Sequence, residues 1–181
     1  SMTENAFVKL LTNESTSSAS HLQTPLLLTG KSGKKGLNGT VEITLYRSVA
    51  RFDIFNKADA QGRYLDIKKV IVNNAKMQSE IFYDGPGTSV IPAGQVKNLP
   101  GIENLVFADG ANDANGNPVK EKLSAFYLYP TTVSSSEAGA TTISIYATFE
   151  GGPERIYTIN GPVTILPNTR YILTANPDKF D

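Results

Sequence analysis

Thr40-Val-Glu-Ile-Thr-Leu-Tyr-Arg-Ser-Val-Ala-Arg-Phe-Asp-Ile-Phe-Asn56 is the stretch whose reading decides the fold. It is a long extended run with apolar residues on alternate positions and two arginines set into it. Val41, Ile43 and Leu45 share one parity, whereas Ala50, Phe52 and Ile54 share the other. Side chains alternate faces along a strand, so a single regular strand cannot send both sets into one core. The pattern predicts either a β-bulge near Tyr46-Arg47-Ser48 or a passage from one sheet to another. Both readings make this run the centre of an all-β domain.

The rest of the chain fits that centre. Ile143, Ile145, Ala147 and Phe149 alternate with Thr142, Ser144, Tyr146 and Thr148, the pattern of a strand with one buried and one wetted face. Gly151-Gly-Pro153 then turns the chain, and Arg155 to Ile159 returns as the hairpin partner. Further strands are expected at Pro25–Gly30, Tyr64–Ala75, Leu123–Tyr129, Val163–Leu166 and Arg170–Ala175, the last two flanking the turn Pro167-Asn-Thr169. The region from Gly85 to Val119 is rich in Gly, Pro, Asn and Asp, and reads as a long loop system or the joint between two lobes. No amphipathic helix of useful length is found. About eight short strands separated by turn residues predict an antiparallel β-sandwich of Greek-key, transthyretin-like type, or two small β lobes. Residues 1–21 read as a flexible leader opening on an expression scar, Ser1-Met2, and residues 22–181 as the sandwich, with an internal boundary near 84–95.

Composition narrows the function classes. The 181 residues can bury a substantial core, and 17 basic residues balance 17 acidic ones. That balance argues against a nucleic-acid arm, and Lys31, Lys34 and Lys35 form only a solvated turn without interleaved aromatics. With no cysteine, disulfides, thiol catalysis and zinc-thiolate sites are excluded. No run approaches the roughly 18 apolar residues of a membrane helix.

The usual catalytic templates find little to hold. His21 is the single histidine and lies in the leader, so neither a Ser-His-Asp array nor a typical zinc site is expected. The glycines between Gly30 and Gly39 match no phosphate-binding fingerprint and precede a strand, not a helix. Asp113, Asn115 and Asn117 occupy the first, third and fifth places of a calcium loop, but Pro118 and Ser124 stand where Gly and a bidentate Glu belong. A weak calcium site drawing on Asp109 is the most this loop allows. Tyr127, Tyr129, Tyr146 and Tyr157 are candidates for a sugar-binding surface or for packing across sheet edges. No cofactor is expected and the chain does not read as an enzyme.

Four segments together resemble the fimbrillin family of Bacteroidales. Pro25-Leu-Leu-Leu-Thr-Gly30 is similar to its "P-[ML]-x-[ML]-[ST]-G" stretch, and Val41 to Ile54 to its "V-x-L-x-R-x-V-A-R" strand. Phe126-Tyr-Leu-Tyr-Pro130 is similar to its "FYLYP" segment, and Ile165 to Leu173 to its "I-x-R-N-x-x-Y-x-I" strand. The resemblance implies a structural or adhesive subunit of a cell-surface fimbrium, at the outer membrane and outside the cytoplasm, exported as a lipoprotein precursor. Its partners would be other fimbrial subunits, with a host glycan or protein ligand as a further possibility, and neither nucleic acid nor membrane-spanning segments. Assembly in that family opens a groove by removing an N-terminal strand and fills it with a neighbour's donor strand, a form of strand addition. Here the groove or core would draw on Val41, Ile43, Leu45, Ala50, Phe52, Ile54, Tyr171 and Leu173, with only Thr174 to Asp181 left as a donor. Arg47 and Arg51 are expected to be structural, either pairing with acidic neighbours or, for Arg47, fixing the strand offset by bonding orphaned carbonyls. The alternative function is a surface carbohydrate-binding module on a similar sandwich.

Overall fold

The computed structural model describes residues 28–30, 32, 38–76, 96–97, 102–103, 105–110, 112, 114–117, 120–131, 141–160 and 165–179. In chain order the strands are β1 (Leu28–Thr29), β2 (Tyr46–Arg47), β3 (Ala50–Lys57), β4 (Asp66–Asn73), β5 (Ala75–Lys76) and β6 (Val96–Lys97). They continue with β7 (Ile102–Glu103), β8 (Ala108–Asp109), β9 (Glu121–Leu128), β10 (Thr142–Thr148), β11 (Arg155–Asn160) and β12 (Arg170–Ala175). A short 3-10 turn, Pro177–Lys179, follows β12. The expected leader at 1–21, with His21, and the expected boundary near 84–95 lie outside the described residues, as does Asp113.

Two four-stranded sheets carry the structure, ordered β11-β10-β4-β7 and β12-β3-β9-β8. Their facing sides share one core: Ala50, Phe52, Ile54, Phe126 and Leu128 from the second sheet meet Val70, Val72, Ile102, Ile143 and Ile145 from the first. Phe52 stacks on Phe126 at 5.2 Å and on Tyr171 at 4.8 Å between ring centroids. The architecture is therefore the expected all-β sandwich. One pair within it is not antiparallel: β12 runs parallel to β3, with Arg170 opposite Arg51 and Leu173 opposite Ile54. The turn before β12 fixes this arrangement. Asn168, held at φ 53°, donates its N–H to the Val49 carbonyl, and the Arg51 N–H donates to the Thr169 carbonyl.

The expected hairpin β10–β11 forms, with Ile143 facing Ile159 and Ile145 facing Tyr157. Its turn places Glu150 and Gly151 at positive φ, 50° and 73°, the conformation for which Gly is best suited. The pairing of β4 with β10 slips one residue between Tyr146 and Ala147, so that Ile67, Val70 and Val72 all face inward despite unequal parity. Such a slip is what a bulge supplies. It lies in β4 and not near Tyr46.

Of the two expectations for the run at 40–56, the structure takes the passage from one sheet to another: Tyr46–Arg47 pair with β1, and Ala50–Lys57 with β9 and β12. Ala50, Phe52 and Ile54 are wholly buried, but Val41, Ile43 and Leu45 are 51%, 53% and 56% exposed and do not belong to the core. The chain bends at Ser48-Val49, both buried, so the first half of the run never enters the sheet that holds the second. Among the described residues, Tyr46 and Arg47 alone of that half form a ladder, with β1. The parity conflict is thus settled by a break, which leaves one apolar set outside. The strand expected at Val163–Leu166 reduces, within the described residues, to Ile165, a buried residue bridging Thr131.

Candidate functional site

Thr40 to Leu45 is a continuously exposed segment that enters no ladder among the described residues, with apolar residues at alternate positions of the sequence. Three exposed β-branched or γ-branched residues in one row are unusual for a settled surface, because each forgoes roughly 1.5–3 kcal/mol of burial. The segment is held against the body by Gly30. A Cβ at that position would stand 2.2 Å from the Thr44 carbonyl oxygen, a contact that no side chain can make. The glycine of the "P-x-x-x-[ST]-G" stretch therefore has a physical role, because it lets two backbones approach where the exposed row lies.

The open side of the sandwich lies elsewhere. Of the described strands, β11 and β12 are the edge members at one end of each sheet, and the two-residue β7 and β8 at the other. Leu65, Ile145, Tyr157, Ile159, Thr174 and Ala175 line a cavity of about 40 Å³ between β11 and β12, room for water but not for a ligand. The Tyr157 hydroxyl donates to the Lys179 carbonyl at 2.6 Å, fastening the 3-10 turn across this seam. Ile156 and Ile172 are 57% and 59% exposed on either side of it. Tyr171 and Leu173, expected in a groove or core, are half-buried on the inner face of β12 and pack against the core.

The arginines divide in role. Arg47 is exposed at the end of β2, and its backbone N–H reaches Asn168 Oδ1 at 3.4 Å. Arg51 instead holds Asp53, Nε to Oδ1 at 2.5 Å, and Arg170 holds the other carboxylate oxygen of the same residue. Asp53 is completely buried. Its hydrogen bond raises the Arg51 guanidinium above its ordinary value, against the opposing effect of burial. Composition and spacing did not single out Asp53 or Arg170. The only clue was an acidic residue at a core-strand centre, since a buried carboxylate needs partners.

A second buried carboxylate closes the turn between β3 and β4. Asp59 accepts the backbone N–H groups of Gln61 and Arg63 at 2.9 and 2.8 Å and the Arg63 Nε–H at 2.7 Å. Burial alone would raise its pKa, but these donors outweigh it and hold the carboxyl below the usual range. The tyrosines do not gather. Tyr129 is buried, Tyr127 and Tyr146 lie half-buried on strands of different sheets, and Tyr157 belongs to the seam. The Lys69 ammonium caps the Tyr146 ring at 4.6 Å. Among the described residues no group of three or more His, Cys, Asp or Glu could hold a metal ion, and no helix is long and apolar enough to cross a membrane.

No protein-family profile and no curated protein sequence matches the chain. Solved structures do. A candidate cell adhesion protein from Parabacteroides distasonis aligns over 99% of this chain and 63% of its own, with TM-score 0.51 and 19% identity. Another from Bacteroides uniformis aligns over 94% of this chain and 61% of its own, with TM-score 0.53 and 14% identity. The chain has the fold of these Bacteroidales proteins. It spans about three-fifths of the length of each, 63% and 61%. The tip fimbrial protein Mfa3 from Porphyromonas gingivalis gives a looser match, TM-score 0.39 at 17% identity over 72% of this chain and 47% of its own, too distant to carry weight. The shared fold is consistent with the fimbrillin resemblance of the sequence.

Proposed function

We propose that this chain is a structural or adhesive subunit of a cell-surface fimbrium, assembled by β-strand addition between subunits, and that it is not an enzyme. The observation that carries this reading is the set Val41, Ile43 and Leu45, apolar at alternate positions of the sequence and each more than half exposed. An added strand offers main-chain hydrogen bonds for affinity and takes alternate apolar side chains for register, and this row has the matching spacing. An exposed apolar segment is otherwise an aggregation hazard that monomeric proteins avoid. The fold shared with Bacteroidales candidate adhesion proteins supports a place at the cell surface, outside the cytoplasm and at the outer membrane. In this reading residues 1–21 are a leader on a lipoprotein precursor, residues 22–181 form the sandwich, and the natural partners are other subunits. The four tyrosines share no one surface, which weighs against a carbohydrate-binding module built on several rings together.

The native size of the precursor, before and after limited N-terminal trimming, tests this reading. Ladder-like oligomers that appear only after trimming, and vanish in Ile43→Asp, are the expected result. A monomer in both states, at any concentration reached, overturns the assembly mechanism.

A further inference from the structure

Asp53 occupies an unusual position. It projects from the middle of β3 on the sheet face turned away from the core, the same face as Arg51 and Phe55, since Phe52 and Ile54 point inward. Across the ladders it stands opposite Ile172 of β12 and Ala125 of β9. On such a face a carboxylate would ordinarily be wet, yet Asp53 is fully buried beneath two guanidiniums. The arginine side chains are themselves about half exposed, 45% for Arg51 and 55% for Arg170.

Both arginines meet Asp53 through Nε. A guanidinium has five N–H donors, so each keeps its terminal amino groups for something else. Among the described residues neither guanidinium makes another hydrogen bond, though that of Arg170 rests over the Phe55 ring at 5.9 Å. Two cations on one anion leave an excess positive charge at the surface. Buried ion pairs seldom stabilise a fold better than apolar side chains of the same size would. What this one does is fix two long, otherwise mobile arginines in place, which lowers the entropy cost of binding. Tyr127 lies directly opposite Arg51 in the β3–β9 ladder, half-buried with its ring on the same face.

We propose that Arg51 and Arg170, pinned by Asp53, bind the carboxylate of an acidic sugar, of uronic or sialic type, whose ring rests against Tyr127. Paired guanidinium donors match a carboxylate in planar, charge-assisted geometry, and an aromatic face suits the C–H side of a pyranose. A sugar fits better than an acidic peptide because the site lies on the face of a sheet. Backbone donors and acceptors there point sideways to neighbouring strands, so a peptide would find no main-chain partners. The inference does not depend on strand-addition assembly, and the two can fail separately.

The experiment titrates the whole chain with a uronic-acid tetrasaccharide, its carboxyl-reduced neutral counterpart and a short polyglutamate peptide, at low and moderate salt. Expected is binding of the acidic sugar that weakens about tenfold or more on carboxyl reduction and in Arg170→Gln, in keeping with loss of a charge-assisted pair. Because Arg170→Gln also touches Asp53, Tyr127→Leu is the second variant; it keeps both Asp53 ion pairs and most of the packing of the half-buried side chain, and should weaken the sugar by more than its small fall in melting temperature explains. Equal affinity for acidic and neutral sugars, unchanged binding in both variants, or no binding at all overturns the proposal. Binding of polyglutamate in preference to the tetrasaccharide overturns the sugar assignment.

Discussion

Val41–Leu45 and Ala50–Ile54 are written in the same code and meet opposite fates. Each places apolar side chains on alternate positions within a few residues of the other, yet the first three are more than half exposed while the second three are fully buried. The difference lies in their neighbours. Ala50 to Ile54 is flanked on both sides, by β9 and β12, and faced by the other sheet. Val41 to Leu45 meets Gly30 at one point and enters no ladder among the described residues. Alternation states that one face of a segment seeks burial. It does not state which surface will bury it, nor whether that surface belongs to the same molecule.

The largest expected effect separates the two halves outright. Phe52→Ala should lower stability by about 3–5 kcal/mol, as for other buried aromatics, because the ring is stacked on Phe126 and Tyr171. Ile43→Ala should stay within about 0.5 kcal/mol in the isolated chain, the usual range for a surface site. Urea midpoints for the pair decide the matter, and similar losses would break the contrast.

The two faces of β3 sharpen it further. Arg51→Ala and Arg170→Ala share the buried Asp53 carboxylate, so each single variant leaves it one partner and the double variant leaves none. The double loss should exceed the sum of the singles by about 0.5–3 kcal/mol, the range for coupled neighbours. Additive losses would mean that Asp53 is supported by other groups. At the seam, Tyr157→Phe removes one exposed hydrogen bond to the Lys179 carbonyl. A cost at or below the ordinary range of about 0.5–1.5 kcal/mol is expected, with earlier exchange of the Asp178 and Lys179 amides as the readout.

The smallest effect is pH-dependent and belongs to the turn that ends the buried half. Asp59 has a folded pKa below its unfolded one. Its contribution is therefore fully present above about pH 3.9, the ordinary aspartate value, and is lost as the pH falls through the lower folded value. Melting curves at successive acidic pH values should show a shallower decline for Asp59→Asn than for the unaltered chain. Parallel declines would assign the acid sensitivity to other groups.

Much of the fold was legible in the sequence. Strict alternation pointed to β10 and its hairpin partner, without their register, and short apolar runs pointed to β3, β9 and β12 within a residue or two. The bulge within β4 was missed: Tyr64–Ala75 was read as one regular strand, although Ile67 and Val70 differ in parity and the structure slips register between them. At 40–56 the pattern could not choose between a bulge and a passage between sheets, because both leave the same offset in one dimension; the structure has the passage, broken at Ser48-Val49. The parallel β3–β12 pair was not legible, since it is set by the backbone hydrogen bonds of the Pro167–Thr169 turn between residues distant in sequence. Of the candidate site, the apolar row was legible as a pattern and was expected in a groove or core, and the Arg51–Asp53–Arg170 cluster was missed, since it joins residues 117 apart.

The central claim is that Val41, Ile43 and Leu45 find their burial on another subunit. Backbone hydrogen exchange across residues 40–56, compared between the monomer and the trimmed, assembled protein, tests it most directly. The account predicts fast exchange of Thr40–Leu45 and slow exchange of Ala50–Ile54 in the monomer, with the first segment becoming protected on assembly. Fast exchange of Thr40–Leu45 in both states, with assembly intact, would contradict it.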